Sequence, residues 1–248
     1  MPLTHLLKAV LPLPAVQWLQ RTRRHYHRID FGDLRRVTPV SRRFGADRGL
    51  AICHYYIRQF LARHSADIAG RVLEIGENRY TTEFGGMRVT HVDVLHAVAG
   101  NPEATIVADL TSADGVPSDQ FDCIVFTQTL QHIYDVRAVL RTLYRILKAG
   151  GVLLATFPGI SQISRYDMDR WGDYWRFSTA SVQRLGEECW PGGAFAVESH
   201  GNVLVASAYL YGLASDDLRR EELAFTDPDY QLLLTLRAVK PSAGGAMS

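Results

Sequence analysis

The sequence of 248 residues contains only three cysteines, and they are widely separated. Cys53, Cys123 and Cys189 form no CxxC motif and have no Cys/His spacing typical of metal ligands. This pattern argues against a disulfide-stapled scaffold and against a structural zinc site. The acids and histidines show no convincing ligand spacing either, so we expect no metal and a reducing, cytoplasmic compartment.

A large excess of charge of either sign is also missing. The chain has 27 Lys and Arg against 26 Asp and Glu, which gives a formal net charge of +1. The protein as a whole therefore has no electrostatic reason to bind nucleic acid, and it has no NPPY-like or basic-aromatic target segment. Positive charge is concentrated only at residues 1–43, where nine Lys and Arg stand against two acids.

Long hydrophobic runs are absent. The apolar stretch at residues 6–19 is interrupted by Lys8, Pro12 and Pro14, so we expect neither a membrane-spanning helix nor a signal peptide. The basic stretch RTRRHYHR follows at residues 21–28. It fits either peripheral contact with the anionic inner face of a membrane or a capping helix whose arginines stay solvated.

Short apolar strands alternate with helical segments from residue 71 onward. Hydrophobic periodicity predicts strands at 71–75, 89–94, 121–126, 152–157, 195–198 and 230–239, and helices at 48–69, 136–147 and 178–190. Such alternation predicts a doubly wound, mostly parallel α/β sheet covered on both faces. We therefore divide the chain into an N-terminal helical extension (1–69), a main domain (70–240) and a disordered tail (241–248).

The first strand ends in the sequence VLEIG at residues 72–76. A glycine directly after a buried strand lets the backbone turn sharply and lets a ligand approach it. The GxGxxG fingerprint of dinucleotide sites is missing, and Glu77 would face the phosphates, so NAD is disfavoured. The loop also reaches the next strand within few residues, so the helix between them is expected to be short or lost.

Four sequence segments, in this order, resemble the motifs of class I S-adenosylmethionine-dependent methyltransferases. They are VLEIG at 72–76, VDV at 92–94, ADL at 108–110 and FDCIVFTQTLQH at 121–132. The resemblance implies a Rossmann-like methyltransferase fold with a seven-stranded sheet and S-adenosylmethionine as the cofactor. The sequence departs from the family by lacking its second glycine, since the loop reads GENRYTTEFGG at residues 76–86.

The resemblance also implies which residues contact the cofactor. Asp93 is expected to accept hydrogen bonds from both ribose hydroxyls, because an acid at the end of the second strand is placed for this contact. Asp109 and Leu110 correspond to the adenine-binding segment, although an aspartate before a loop is also a common cap. The remaining candidates for the cofactor site are Glu74, Gly76, Asn78, Tyr80, Phe126 and Thr127.

His132 is the first candidate for a catalytic residue, because an imidazole has a pKa suited to removing a hydroxyl proton. The alternative is that it only packs or bonds to the backbone. Asp173 is a second candidate base. Trp171, Tyr174 and Trp175 form an aromatic group that either walls the acceptor site or closes a small satellite core.

Four further segments look like a bacterial, type 11-like subgroup associated with polysaccharide and natural-product biosynthesis. They are RFGADRG at 43–49, HYYIRQFL at 54–61, YTTEFGG at 80–86 and GDYWRFS at 172–178. The function expected from this resemblance is O-methylation of a small-molecule or glycan hydroxyl. The alternatives are an N- or C-methyltransferase and a non-catalytic protein that binds the cofactor or acts as a scaffold.

Overall fold

The computed structural model describes residues 12, 14–15, 17–18, 30 and 32–242. The chain divides into two compact units, residues 1–38 and 39–248. The basic stretch at 21–28 and the tail from 243 onward lie outside the described residues, and so does most of the apolar stretch at 6–19. Within the described residues, no helix has the length and apolar character needed to cross a membrane.

The second unit is built around one twisted sheet. Its strands, within the described residues, are Gly70–Ile75 (β1), Val89–His96 (β2), Ile106–Val107 (β3), Phe121–Thr127 (β4), Leu147–Pro158 (β5), Ala194–His200 (β6) and Leu233–Val239 (β7). The spatial order is β3-β2-β1-β4-β5-β7-β6. Strands β1 to β5 are parallel, and β7 lies antiparallel between β5 and β6. The expected seven-stranded, mostly parallel α/β fold is confirmed.

Helices cover both faces of this sheet. They are Ile52–Arg63 (α1), Arg79–Gly85 (α2), Val136–Ile146 (α3), Arg165–Met168 (α4), Thr179–Cys189 (α5), Val203–Leu210 (α6) and Arg220–Ala224 (α7). Side-chain caps start the two helices of one face. The Asp135 carboxylate accepts a hydrogen bond from the Ala138 N–H (2.9 Å) at α3, and Ser178 and Ser181 form a capping box at α5.

The core has two layers, one on each face of the sheet. Alternate residues of β1 point to opposite layers, so Leu73 packs with α3 and α5, whereas Val72 packs with α1 and α6. Parallel strands that are covered on both faces are apolar on both. The apolar runs at 72–73 in β1, 123–126 in β4 and 152–155 in β5 follow from this burial.

The structure differs from the sequence-based division at the N-terminal side of the domain. Residues 39–69 were assigned to a separate extension, but they belong to the second compact unit. The Val40 N–H bonds to the Tyr211 carbonyl (2.7 Å), and the Ser215 N–H bonds to the Leu50 carbonyl (2.8 Å). The helix expected at 48–69 is also shorter, since α1 covers only Ile52–Arg63. Contacts with chain segments more than 160 residues away are invisible to local periodicity.

Candidate active site

A deep cleft opens at the carboxyl ends of β1, β2 and β4. Its volume is about 1040 Å³, at the upper end of the range of about 300–1,000 Å³ that is usual for small-molecule sites. The strand order reverses at β1, which is the place where open α/β sheets bind ligands. Among the described residues, four acids line this cleft and no Lys or Arg does; the acids are Glu74, Glu77, Asp109 and Asp167.

The backbone of Gly76 forms part of the wall of the cleft. Its φ of +85° is in the left-handed region, and a Cβ built there would have no heavy atom within 4 Å. The Gly76 N–H donates to the Leu95 carbonyl (2.9 Å), and the Asn101 amide donates to the Gly76 carbonyl (2.7 Å). These bonds fix the turn, so a ligand can approach the backbone where a side chain would otherwise stand.

The Glu74 side chain caps the N-terminus of helix α2. Its carboxylate is buried and accepts hydrogen bonds from the N–H groups of Tyr80 (3.1 Å) and Thr81 (2.7 Å). Burial raises the pKa of Glu74, and the two backbone donors act against that rise. Because these N–H groups are already used, the helix does not offer the free donors with which other helices bind phosphate.

Asp93 does not line the cleft. Its carboxylate accepts hydrogen bonds from Arg71 Nε (2.7 Å) and Thr105 Oγ1 (3.0 Å). Burial alone would raise the pKa of Asp93, but the hydrogen bonds from Arg71 and Thr105 hold it below its usual value. This placement corrects the expected ribose contact, because β2 continues for three residues beyond Asp93 and ends at His96.

His96 therefore takes the position at the end of β2 that was expected for an acid. It lines the cleft, its Nδ1 lies 2.7 Å from the Val98 carbonyl oxygen, and its ring meets Trp171 edge-on with 5.8 Å between centroids. The ring is held by these two contacts. The end of β2 offers an imidazole where the resemblance implied a carboxylate.

The other cofactor candidates divide into two groups. Those that line the cleft are Glu74, Gly76, Tyr80, Asp109, Leu110 and Thr127. The Asp109 carboxylate also accepts bonds from the Thr111 N–H and hydroxyl (2.8 Å each), so it shapes the turn as well. Asn78 and Phe126 do not line the cleft, because Asn78 precedes α2 as its N-cap residue and Phe126 is fully buried in the core.

His132 lies in the turn after β4, where the cleft meets a second, smaller chamber. Its Nδ1 is 2.8 Å from the Gly172 carbonyl oxygen, which can only accept, so Nδ1 carries the proton. Its Nε2 is 3.2 Å from the Gln131 amide nitrogen, which can only donate. These two partners favour the Nδ1–H tautomer, and the Asp167 carboxylate lies 3.9 Å from Nε2.

The second chamber, of about 210 Å³, lies beside the cleft. The two cavities share a wall made of His54, Gln128, His132 and Asp167. Within that wall Gln128 has a φ of +47°, a left-handed conformation that costs energy in a residue other than glycine. Such strain clusters at functional sites, where the surrounding structure holds it in place.

Asp173 is a structural residue in this arrangement. Its side chain is 2% exposed, and its two oxygens bind the Arg176 guanidinium, with the Ser164 N–H as a further donor (3.0 Å). Burial would raise the pKa of Asp173, but the hydrogen bonds from Arg176 and Ser164 hold it below its usual value. A carboxylate engaged in this way is a poor proton acceptor, which corrects its expected role as a base.

The three candidate aromatic residues have different positions. Trp171 and Tyr174 line the cleft. Trp175 instead packs against the main core, 5.6 Å from the Tyr134 ring, so the interpretation as core packing applies to it.

Sequence reasoning missed several residues of the two cavities, namely His54, His96, Gln128, Gln131, Tyr134, Tyr166 and Asp167. Gln128 and Gln131 carried a visible signal, because they are polar residues directly after a buried strand.

Comparisons with known proteins agree with this architecture. Residues 73–155 match the methyltransferase domain family. The ubiquinone/menaquinone biosynthesis C-methyltransferase UbiE of Pectobacterium atrosepticum is 30% identical over 125 residues, which are 49% of this chain and 41% of that protein. This chain therefore aligns with less than half the length of that curated relative.

Solved structures share the fold at low sequence identity. A SAM-dependent methyltransferase from Archaeoglobus fulgidus has a TM-score of 0.50 and 13% identity, covering 75% of this chain and 94% of that one. The [4+2]-cyclase SpnF has a TM-score of 0.52 and 15% identity, covering 79% of this chain and 84% of the cyclase. From the matched family, the strand order and the cleft, we conclude that the chain contains a class I S-adenosylmethionine-dependent methyltransferase domain.

Proposed function

We propose that the protein transfers a methyl group from S-adenosylmethionine to a hydroxyl group of a small-molecule or glycan acceptor. The observation that carries this proposal is the charge of the cleft, whose wall, in the part of the chain that the structure describes, has four acids and no Lys or Arg. A cleft lined by one sign of charge attracts ligands of the other sign. The sulfonium of S-adenosylmethionine is cationic, whereas the phosphates of a dinucleotide would be repelled.

The residues present fit this cofactor. Gly76 leaves space for it beside the backbone, Tyr80 and Leu110 supply buried apolar surface, and Glu77 and Asp109 supply negative charge. When bound, S-adenosylmethionine supplies a methyl carbon activated by a sulfonium leaving group. The chain itself aligns the acceptor and excludes water with Trp171 and Tyr174. Nε2 of His132 receives the hydroxyl proton once the acceptor hydroxyl has replaced the Gln131 amide as its partner.

Two observations favour alternatives. Similarity to a C-methyltransferase favours carbon as the acceptor atom, for which a base beside the acceptor is also useful. The shared fold of the cyclase SpnF is consistent with chemistry other than methyl transfer on this scaffold. A screen of acceptors with the cofactor present separates these alternatives by the product that is formed.

Calorimetry with S-adenosylmethionine and S-adenosylhomocysteine tests the cofactor site without a known acceptor. Binding is expected near micromolar Kd, about 8 kcal/mol, and NAD⁺ is not expected to bind. The matched variant Asp93→Asn should unfold at lower urea concentration but bind within about threefold of wild type, or about 0.7 kcal/mol. No heat with millimolar S-adenosylmethionine would favour the scaffold alternative.

His132→Gln is expected to lower kcat by about 10²–10⁴-fold, the usual contribution of a positioned base, with unchanged cofactor affinity. Long-range ¹⁵N–¹H correlation spectra of the wild-type protein should first show the Nδ1–H tautomer, because Gly172 and Gln131 impose it. His96→Gln is the control, since that ring lines the cleft but not the second chamber. If His132→Gln turned over an acceptor of the wild-type protein at a near-normal rate, His132 would not be the general base.

A further inference from the structure

The second chamber and the cleft have walls of different chemistry. The aromatic side chains of the segment between β5 and α5 that reach a cavity, Tyr166, Trp171 and Tyr174, line the cleft. The chamber wall carries the amide and aliphatic hydroxyl groups of Gln128, Gln131, Ser161, Gln162 and Ser164, beside apolar residues that include Ala46, Ala51 and Pro158. Its two aromatic rings, Phe44 and Tyr209, pack against each other with 5.9 Å between centroids. The chamber therefore combines hydrogen-bonding groups with apolar surface.

Gln131 is the most unusual of these polar residues. It is 6% exposed, and its amide nitrogen donates to the Gln128 carbonyl (2.8 Å). This bond fixes the orientation of the amide, because a flip would bring two carbonyl oxygens together. Its Oε1 then accepts no hydrogen bond within the described residues. Buried carbonyl oxygens are almost always paired, so this one calls for a donor from outside the described residues.

The charged groups around the chamber are largely satisfied. Arg176 is neutralised by Asp173, and the Asp167 carboxylate accepts a bond from the Ser164 hydroxyl (2.5 Å). The other cation on the wall, Arg43, is exposed to solvent. The interior thus suits a neutral ligand that donates hydrogen bonds, and its volume of about 210 Å³ limits that ligand to a compact size.

We propose that this chamber is the acceptor site and that it binds a compact, neutral, hydroxyl-rich ligand of the sugar type. One ligand hydroxyl donates to Gln131 Oε1, and another faces Nε2 of His132 in the wall that the chamber shares with the cleft. The inference rests on the proposed function for the assignment of the cleft to the cofactor. The chamber is therefore expected to prefer sugars to planar phenols. The aromatic wall of the cleft alone would not predict that preference.

Two exposed alanines offer a matched pair of blocking variants. Ala46 lines only the chamber and Ala97 lines only the cleft. Saturation-transfer NMR would be recorded with methyl α-D-glucopyranoside and with catechol, each on protein saturated with S-adenosylhomocysteine. The glucoside signal is expected for wild type, with little or no catechol signal. Ala46→Trp should lose the glucoside signal and keep cofactor binding by calorimetry.

Ala97→Trp should do the reverse, losing affinity for S-adenosylhomocysteine at least tenfold while the glucoside signal persists. Gln131→Leu keeps the side-chain volume but removes Oε1, and it should weaken glucoside binding at least tenfold with unchanged cofactor affinity. Catechol binding in place of the glucoside, or glucoside binding that survives Ala46→Trp, would overturn the inference. Absent cofactor binding in wild type would instead overturn the proposed function, so the two failures are distinguishable.

Discussion

Asp173→Ala is expected to lower the free energy of unfolding by about 3 kcal/mol, the largest loss of stability that we predict. Removing one partner of a buried ion pair costs about 3–5 kcal/mol, because the other charge stays behind without compensation. The lower end applies, since the Arg176 side chain is 28% exposed. Arg176 also donates to the carbonyls of Ser161 and Gln162, so the chamber wall should loosen with it.

Urea unfolding at several pH values measures this effect. Because the pKa of Asp173 is lower in the folded protein, its stabilisation is fully present above the unfolded value of about 3.9 and is lost as pH falls through the folded value. The difference between wild type and Asp173→Ala should thus be constant from pH 8 to 5 and shrink below pH 4. Asp169→Ala is the control, because its pair with Arg165 is exposed. Equal effects of both variants would contradict a structural role for Asp173.

Gly76→Val is expected to weaken binding of S-adenosylmethionine on the order of a hundredfold, which corresponds to about 2.8 kcal/mol. The branched side chain would project into the cleft from the position where Gly76 now exposes backbone. The left-handed φ of +85° adds backbone strain, about 1–3 kcal/mol in a residue other than glycine. Calorimetry measures the affinity and urea unfolding measures the strain.

Gly86→Val separates these two effects. Gly86 also has a left-handed φ, +56°, and open space around a built Cβ, but it does not line the cleft. Both variants should lose similar stability, and only Gly76→Val should lose affinity. If Gly86→Val weakened cofactor binding as much, the effect would come from the backbone of the α2 region and not from the cleft wall.

The arrangement of the sheet could be predicted because its determinants are local. The apolar strands β1, β4 and β5 are covered on both faces, which produces short continuous apolar segments, and the helix α3 between β4 and β5 has a clear amphipathic period. The short helix α2 was also expected, from the small number of residues between β1 and β2. Helix α6 was missed, because it is apolar on nearly all sides and lacks a helical period.

The site was predicted less completely than the sheet. Glu74, Gly76 and His132 line the cleft, and each lies at or shortly after the end of a well-marked strand. Asp93 was misplaced because the sequence does not show where β2 ends, and three more residues carry the strand to His96. The chamber could not be foreseen, because Ala46, Gln131 and Arg176 meet only through the folding of distant segments.

The wall shared by the two cavities has a thermodynamic consequence. The same four residues line both cavities, and they include Gln128, whose backbone is strained, and His132. Whatever one ligand does to the position of this wall is felt by the other, and linkage requires the two effects on affinity to be equal. The factor by which the cofactor tightens acceptor binding must therefore reappear as the factor by which the acceptor tightens cofactor binding.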